Sequence, residues 1–345
     1  MTSSPVIAVV GATGAVGVEF LSLFEQRGWD IGGLRLLASA RSAGKTMFCK
    51  GRDLTIAELR HDSFKGVQLA LFSAGGPISK EFGPIAQREG ALVVDNSSAF
   101  RMVDSSPLVV PEINPDLVAP YRGLKPGIIA NPNCSTIILL VPVDPLRRAF
   151  GVERMVVSTY QAVSGAGAAA MDELESQTRD VLAGKPAQPK VFHERSAFNL
   201  FSHNSKVDPA TGRNIEEQKM IDETRKIWRD PAIKVSATCI RVPVMRAHAE
   251  SINLTLKNPA TEAQVRDALT AAPGVRIVDD RAGNRFPTPV DASGRDEVLV
   301  GRIRPDDTQQ HAGDRYIGWN LFVAGDQLRK GAALNAVQIA ELAMK

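Results

Sequence analysis

The chain has 345 residues, of which 44% are hydrophobic and 23% charged, and its formal net charge is +3. That length suggests two domains, the balance of residue types excludes gross disorder, and the mild charge with only 6% aromatic residues leaves no basic or base-stacking surface for nucleic acid. The cysteines, Cys49, Cys134 and Cys239, are few and far apart, so they form neither a disulfide framework nor a CxxC pattern, and no metal is expected.

No Lys or Arg precedes Arg27 and the first apolar run stops at Gly11, which is not the pattern of a signal peptide. No apolar stretch approaches the ~18 residues that span a membrane, and the run at 137–141 meets Pro142. The expectation is a soluble protein of a reducing compartment, the cytoplasm.

In chain order, residues 6–10 read as a short buried strand feeding Gly11-Ala12-Thr13-Gly14-Ala15-Val16-Gly17. A helix follows, with Val16, Phe20, Leu23 and Phe24 on one face and Gly28 as its stop. Residues 34–38, 67–73 and 92–95 are further strands, and the last two end in Ser73-Ala74-Gly75-Gly76 and Asn96-Ser97-Ser98. Short strands alternating with helical stretches predict a parallel, helix-covered sheet. After about residue 130 the pattern changes. Segments 155–160, 251–256, 298–303 and 317–323 read as longer alternating strands, and 168–182, 216–228 and 262–271 as helices, which makes an α+β domain. Residues 192–211 and 281–295 read as long loops. From Gly331 an Ala-rich helix, with Ala333, Val337, Ala340 and Met344 at helical spacing, can return to the first domain. The expected division is 1–130 plus about 328–345, and 131–327.

The glycine turn between a strand and a helix is the context of a dinucleotide site. Glycines let the backbone approach a pyrophosphate, and the helix start offers free N–H groups. Its GxxGxxG spacing is looser than GxGxxG, and a tight turn without a ligand is the alternative. The second strand ends in Ser39-Ala40-Arg41-Ser42, with no carboxylate to bind a ribose 2′-hydroxyl. Hydroxyls and a guanidinium suit a 2′-phosphate, so NADP is inferred over NAD, against the alternative that Arg41 is a solvated loop residue. Cys134, in Asn131-Pro132-Asn133-Cys134-Ser135-Thr136, stands where a helix begins, and a helix start lowers a thiol's pKa. It is a candidate nucleophile or a buried structural cysteine. Cys49 and Cys239 read as structural, and His61, His193, His203 and His311 as surface or loop residues.

From end to end the chain resembles the aspartate-semialdehyde dehydrogenases. The resemblance rests on the glycine turn, Asp95-Asn-Ser-Ser-Ala-Phe-Arg101, Val110-Pro-Glu-Ile-Asn114, the cysteine block, Gln161-Ala-Val-Ser-Gly-Ala-Gly167, Glu216-Glu-Gln-Lys219, Arg241-Val-Pro-Val-Met-Arg-Ala-His248 and Leu328-Arg-Lys-Gly-Ala-Ala333. The short Asn-Cys-Ser-Thr form is similar to the branch common in Gram-positive and many other bacteria. The resemblance implies an α/β architecture: a Rossmann-like NADP-binding domain, an α+β catalytic and dimerisation domain, a returning C-terminal helix, and a homodimer.

It also implies roles. Cys134 would be the thioester nucleophile, His248 the general acid/base, and Gln161 an orienting group. Arg241 would pair with the substrate α-carboxylate and Glu216 with its amino group, while Arg101, Lys219 and Asn133 would hold phosphate, the co-substrate. Gly11 to Val16, Ser39 to Ser42, Ser73, Ala74, Gly75, Ser164, Gly165 and Gln327 would bind NADP(H), although Asp326-Gln327 departs from relatives that carry Asn at the second position. The implied reaction is reductive dephosphorylation of L-4-aspartyl phosphate to aspartate semialdehyde, in the synthesis of lysine, threonine, methionine and diaminopimelate.

Residue chemistry is compatible with these roles: a carboxylate suits a guanidinium and a phosphate suits several cations. Glu216 and Lys219 stand i, i+3 on one helix face, a spacing that by itself favours an ordinary surface ion pair and that the resemblance turns toward a role in the site. Arg241 and His248 would face opposite sides of a regular strand, so they share a site only if the chain bends near Pro243 or 245–247. Rival readings are an N-acetyl-glutamyl-phosphate reductase, which needs no ammonium-binding Glu; a glyceraldehyde-3-phosphate dehydrogenase, with a different cysteine block; and a nucleotide-binding regulatory relative, which would lack the nucleophile.

Overall fold

Continuous apolar runs become strands buried on both faces. In the computed structural model, which describes residues 4–345, β1 (Ile7–Val10) leads through the glycine turn into α1 (Ala15–Gln26). Next come β2 (Leu34–Ala38), β3 (Thr46–Cys49), β4 (Arg52–Glu58), β5 (Leu69–Phe72), α2 (Gly76–Arg88), β6 (Leu92–Asp95) and β7 (Gly127–Ala130). They form a seven-stranded sheet in the order β3-β4-β2-β1-β5-β6-β7, parallel except where β3 meets β4. Strand alternation sorts the core into two layers. Ile7, Val9, Leu69, Leu71, Leu92 and Val94 pack with Phe20, Leu23 and Phe24 of α1, while Ala8, Val10, Ala70, Phe72 and Val93 pack with Phe82 and Ala86 of α2.

The β3–β4 hairpin has no counterpart among the elements expected from sequence. It is an edge pair with much of its length exposed, and it turns at Lys50 and Gly51, both at positive φ (48° and 74°). Lys is an unusual first residue for such a turn, where Asn or Asp is the common signal.

A second compact unit spans Cys134–Gly331; the first comprises the chain up to Asn133 together with Ala332–Lys345. The second begins with α3 (Cys134–Phe150), β8 (Val152–Gln161), α4 (Ala168–Leu182), β9 (Phe201–Ser202), α5 (Ile215–Trp228), β10 (Lys234–Arg241) and β11 (His248–Ala260). It continues with α6 (Glu262–Thr270), β12 (Val275–Ile277), α7 (Pro289–Ala292), β13 (Val298–Pro305), β14 (His311–Ala312) and β15 (Arg315–Gly325). The mixed sheet runs β12-β13-β15-β11-β8-β10-β9, with β14 on β15. Helices α3, α5 and α6 pack on one face, where Met155, Val157, Ile252 and Leu254 are buried. The other face carries Tyr160 against Phe322, their ring centroids 6.3 Å apart, and a polar cluster in which Asn253 donates to Asp306 and Asn320. α3 continues through Pro142 and Pro145 because every residue from Ser135 to Val143 is buried, which outweighs a proline penalty of ~3 kcal/mol.

The last helix, α8 (Leu334–Met344), belongs to the first unit. Leu334, Val337 and Ala340 join the core that holds α1, and Glu341 takes the Arg27 guanidinium at 2.6 Å and the Trp29 indole N–H at 3.2 Å. No helix among the described residues is long and apolar enough to cross a membrane.

Candidate active site

In the first unit the glycine turn is built for close approach. Gly11 has φ +84°, and a Cβ there would lie 2.3 Å from the Ser73 carbonyl oxygen; a Cβ at Gly17 would lie 2.4 Å from the oxygen of Ala12. Gly14 caps α1 without a side-chain hydrogen bond and no acidic residue occupies the first turn, so this helix start keeps its N–H groups for an anion. Ala12 is buried, Thr13 and Gly14 exposed, and Ala15 and Val16 half-buried. Ser73 and Ala74 follow β5 beside this turn, and Gly75, at φ +89°, opens α2. Beyond β2, Ser39, Ala40 and Arg41 are exposed and Ser42 half-buried.

Also in the first unit, the Asp95 carboxylate accepts from Ser79, from the Ser97 hydroxyl (2.7 Å each) and from the Ser97 N–H. This organises the segment that bears Arg101, whose guanidinium donates to the carbonyls of Asn131 (2.9 Å) and Asn96 (2.8 Å). Arg101 and Asn133 are both buried.

In the second unit, pairing of β10 with β8 sets Arg241 opposite Gln161, and β11 lies on the other side of β8 with Ala249 opposite Tyr160. Arg241, Gln161 and His248 therefore stand abreast on one sheet face. The expected bend lies in residues 242–247, which cross the end of β8, with Ala247 in the left-handed region at φ +70°. Val244 and Met245 accept from the N–H groups of Val163 and Ser164 along the way.

The His248 ring is aimed by its neighbour's backbone: Ala162 N–H donates to Nδ1 at 3.0 Å. A neutral ring with Nδ1 as acceptor carries its proton on Nε2. Burial, and then the cation of Arg241, hold His248 well below the ordinary imidazole value, so the ring is neutral. A Cβ on Gly165 would come within 3.2 Å of Cε1 and Nε2 of His248 and 3.4 Å of Arg241 Nη1, so glycine keeps the space beside both side chains.

Gln161 donates through Nε2 to the Ser135 hydroxyl (2.6 Å) and to Glu216 Oε1 (3.2 Å), while its Oε1 is buried without a protein partner. Arg241 donates to the Ala162 carbonyl (2.7 Å), to His203 Nε2 (2.9 Å) and to Asn204 Oδ1 (3.1 Å), and its Nε is likewise buried without a partner. Burial pushes the Arg241 guanidinium down, and the nearby Cys134, Glu216 and Cys239 act against this. Glu216, in the first turn of α5, also accepts from Lys219 at 3.1 Å, so the i, i+3 pair forms. Its neighbour Glu217 serves the scaffold instead, closing a capping box with Asn214 and accepting from Cys239 N–H, which fixes α5 to β10.

Cys134 opens α3 and is half-buried. Gly331, in a π-helical turn over Arg329–Ala333, backs onto it so closely that a Cβ would lie 2.8 Å from the Cys134 Cβ. Burial pushes the thiols of Cys49 and Cys239 up, away from the thiolate form.

His203 departs from the sequence expectation. It follows β9 in a loop, as read, yet it is a direct partner of Arg241. Arg241 donates to its Nε2 and the Ser205 N–H donates to its Nδ1 at 3.2 Å, with the Ser205 hydroxyl 3.1 Å from the same nitrogen, and burial lowers its pKa to about 4. His203, Asn204 and Ser135 join the cluster although no spacing marks them; only the adjacency of Ser135 to Cys134 was a signal. Ser164 and Gln327 are both buried and hydrogen-bonded to each other. Among the described residues no group of three or more His, Cys, Asp or Glu side chains could hold a metal.

Two family profiles match the chain: "Semialdehyde dehydrogenase, NAD binding domain" over residues 6–120 and "Semialdehyde dehydrogenase, dimerisation domain" over residues 143–330. The chain is 50% identical over 342 residues to the aspartate-semialdehyde dehydrogenase of Synechocystis sp., covering 98% of this chain and 97% of that protein. The crystal structure of aspartate semialdehyde dehydrogenase II complexed with ASA from Vibrio cholerae superimposes with a TM-score of 0.92 at 44% identity, covering 99% of this chain and 98% of that one. The Candida albicans aspartate semialdehyde dehydrogenase with NADP gives a TM-score of 0.72 at 27% identity, covering 97% and 98%.

Proposed function

The chain belongs to the aspartate-semialdehyde dehydrogenase family, and from that premise we propose that it reduces L-4-aspartyl phosphate to L-aspartate 4-semialdehyde through a thioester on Cys134, with NADP(H) as the redox partner. The observation that carries this reading is the row Arg241–Gln161–His248, tied through Gln161 to Ser135 and Glu216. It offers a guanidinium for a carboxylate, a carboxylate for an ammonium and a neutral imidazole, beside the helix that starts at Cys134. The buried, partnerless Arg241 Nε and Gln161 Oε1 are polar atoms a substrate can satisfy.

In the synthetic direction Cys134 sulfur attacks the acyl carbon, a C–S bond forms, and the C–O bond to phosphate breaks with its electron pair leaving on phosphate. Arg101, Lys219 and Asn133 are the groups proposed to receive that phosphate. The dinucleotide, when bound, supplies the hydride that reduces the thioester. His248 donates from Nε2 to the oxygen that becomes negative in each tetrahedral adduct. When the C–S bond breaks, its electron pair returns to sulfur and the aldehyde leaves. Covalent capture holds the acyl group through both halves of the reaction. Gly11 and Gly17, where a Cβ would collide with the Ser73 and Ala12 backbone, keep the turn tight against the start of α1, and the uncapped N–H groups there suit a pyrophosphate. Ser39 and Arg41, with no carboxylate between Ala38 and Ser42, favour the 2′-phosphate of NADP.

The test is to mix the purified protein with L-aspartate semialdehyde, phosphate and NADP. Phosphate-dependent NADPH formation is expected, with a much lower rate at matched NAD. Activity with N-acetyl-glutamate semialdehyde instead would overturn the substrate assignment. The sheet face around Tyr160 and Phe322 is proposed to pair with a second copy of the chain, as the name of the profile over residues 143–330 suggests. Light scattering on the eluting protein should then give twice the 37.1 kDa chain mass, and a monomer at micromolar concentration would refute the pairing.

A further inference from the structure

In the first sheet β4 lies between β2 and β3. The segment from Ser39 to Lys45 leaves β2 and enters β3, so it crosses the carboxyl end of β4. Gly44 N–H donates to the Ile56 carbonyl at 2.9 Å and Ile56 N–H to the Lys45 carbonyl at 2.8 Å, while Leu59 N–H donates to the Ala38 carbonyl at 2.8 Å. The register pairs Ala38 with Glu58. Glu58 and Arg60 therefore emerge beside Ser39 to Ser42, the residues read as the 2′-phosphate end of the dinucleotide site. Ala43, Glu58 and Arg60 line one open cleft of about 650 Å³.

Arg60 holds Glu58 Oε2 from both Nε (2.9 Å) and Nη2 (2.5 Å), and its side chain is 70% exposed. Arg35, also on the cleft, is engaged by the carbonyls of Ser63 (3.0 Å) and Lys65 (2.8 Å). The crossing segment carries no carboxylate, but the neighbouring strand brings one to its side. Unmasked, Glu58 would repel a 2′-phosphate and accept from a ribose 2′-hydroxyl, as the acid of an NAD site does.

We infer that the Glu58–Arg60 pair sets the dinucleotide preference: Arg60 cancels the charge of Glu58 and joins Arg41 in holding the 2′-phosphate. A guanidinium has five N–H groups in a fixed fork. Glu58 engages two of them, and the others suit a phosphate while the carboxylate stays masked. This rests on the reading of NADP(H) as the redox partner, and it adds two residues from a strand that sequence spacing does not connect to Ser39–Ser42.

The test reads the Kd of NADPH and of NADH, each by its fluorescence, in wild type, Arg60→Ala, Glu58→Gln and the double variant. Arg60→Ala should weaken NADPH about tenfold or more and leave NADH within about threefold of wild type. Adding Glu58→Gln to Arg60→Ala should recover part of the NADPH affinity, because the unmasked charge is gone. Glu58→Gln alone should bind NADPH at least as tightly as wild type. A Kd that moves by the same factor for both dinucleotides, or for neither, in Arg60→Ala overturns the proposal. So does a double variant no better than Arg60→Ala, since Glu58 is then not the charge that Arg60 masks. The two failures are separable. A wild type that binds NADH as tightly as NADPH sinks the NADP reading and this inference with it. A wild type that prefers NADPH, and keeps that preference in Arg60→Ala, sinks this inference alone.

Discussion

Cys134→Ala is expected to abolish turnover, at least about a thousandfold, while the protein still binds NADPH and melts as a folded protein. The argument is one of substitution. A thioester needs a thiolate, and the other two thiols are buried and shifted away from ionisation. Neither can take over. Alanine also keeps the Cβ against which Gly331 packs, so the loss cannot be assigned to a displaced helix start. Arg241, Gln161, Glu216 and His248 remain, and binding of the semialdehyde should survive with them. Measuring NADPH formation in one cuvette and NADPH affinity in another separates the chemical step from binding. Activity within about tenfold of wild type would refute the covalent mechanism, since positioning alone cannot replace the nucleophile.

Most of the parallel sheet was legible because its strands are continuous apolar runs and its turns are glycines at positions a Cβ cannot occupy. The β3–β4 hairpin was not, since Lys50 in a left-handed turn carries no sequence signal and an edge strand alternates only loosely. The row of Arg241, Gln161 and His248 was legible as a motif but not as a geometry. Strand periodicity puts Arg241 and His248 on opposite faces, but residues 242–247 leave β10, cross the end of β8 and re-enter the sheet as β11, with Ala247 at φ +70°, where sequence would lead one to look for Gly or Asn. His203 shows the other limit. Its bond to Arg241 joins residues 38 apart in the chain, and nothing in the loop around it repeats or alternates. Gln327 is expected to contact cofactor because its position lies in a recognised block. Its partners, Ala247 and Ser164, become visible only once β11 and β15 are paired.

One row behind the site, the same strand pairing sets Cys239, Thr159 and Glu250 abreast. Both carboxyl oxygens of Glu250 are buried without a partner, and burial holds its pKa well above the ordinary 4.5. The sign of the consequence is fixed. Between the unfolded value and the raised folded value, the native state binds a proton that the unfolded chain has released. Stability conferred by the protonated carboxyl is thus complete at acid pH and declines as pH rises, by up to about 1.4 kcal/mol per unit. Glu250→Gln keeps the shape and removes the titration. Urea unfolding at fixed protein concentration should therefore find the variant close to wild type near about pH 5 and more stable than wild type near about pH 8, with the difference widening between the two. A difference that stays flat across that interval would mean that Glu250 ionises in the folded protein as readily as in the unfolded chain. An acid kept neutral two residues along the strand from His248 adds no negative charge to draw a proton onto that imidazole. This fits a ring held neutral by burial and by Arg241, with its proton fixed on Nε2.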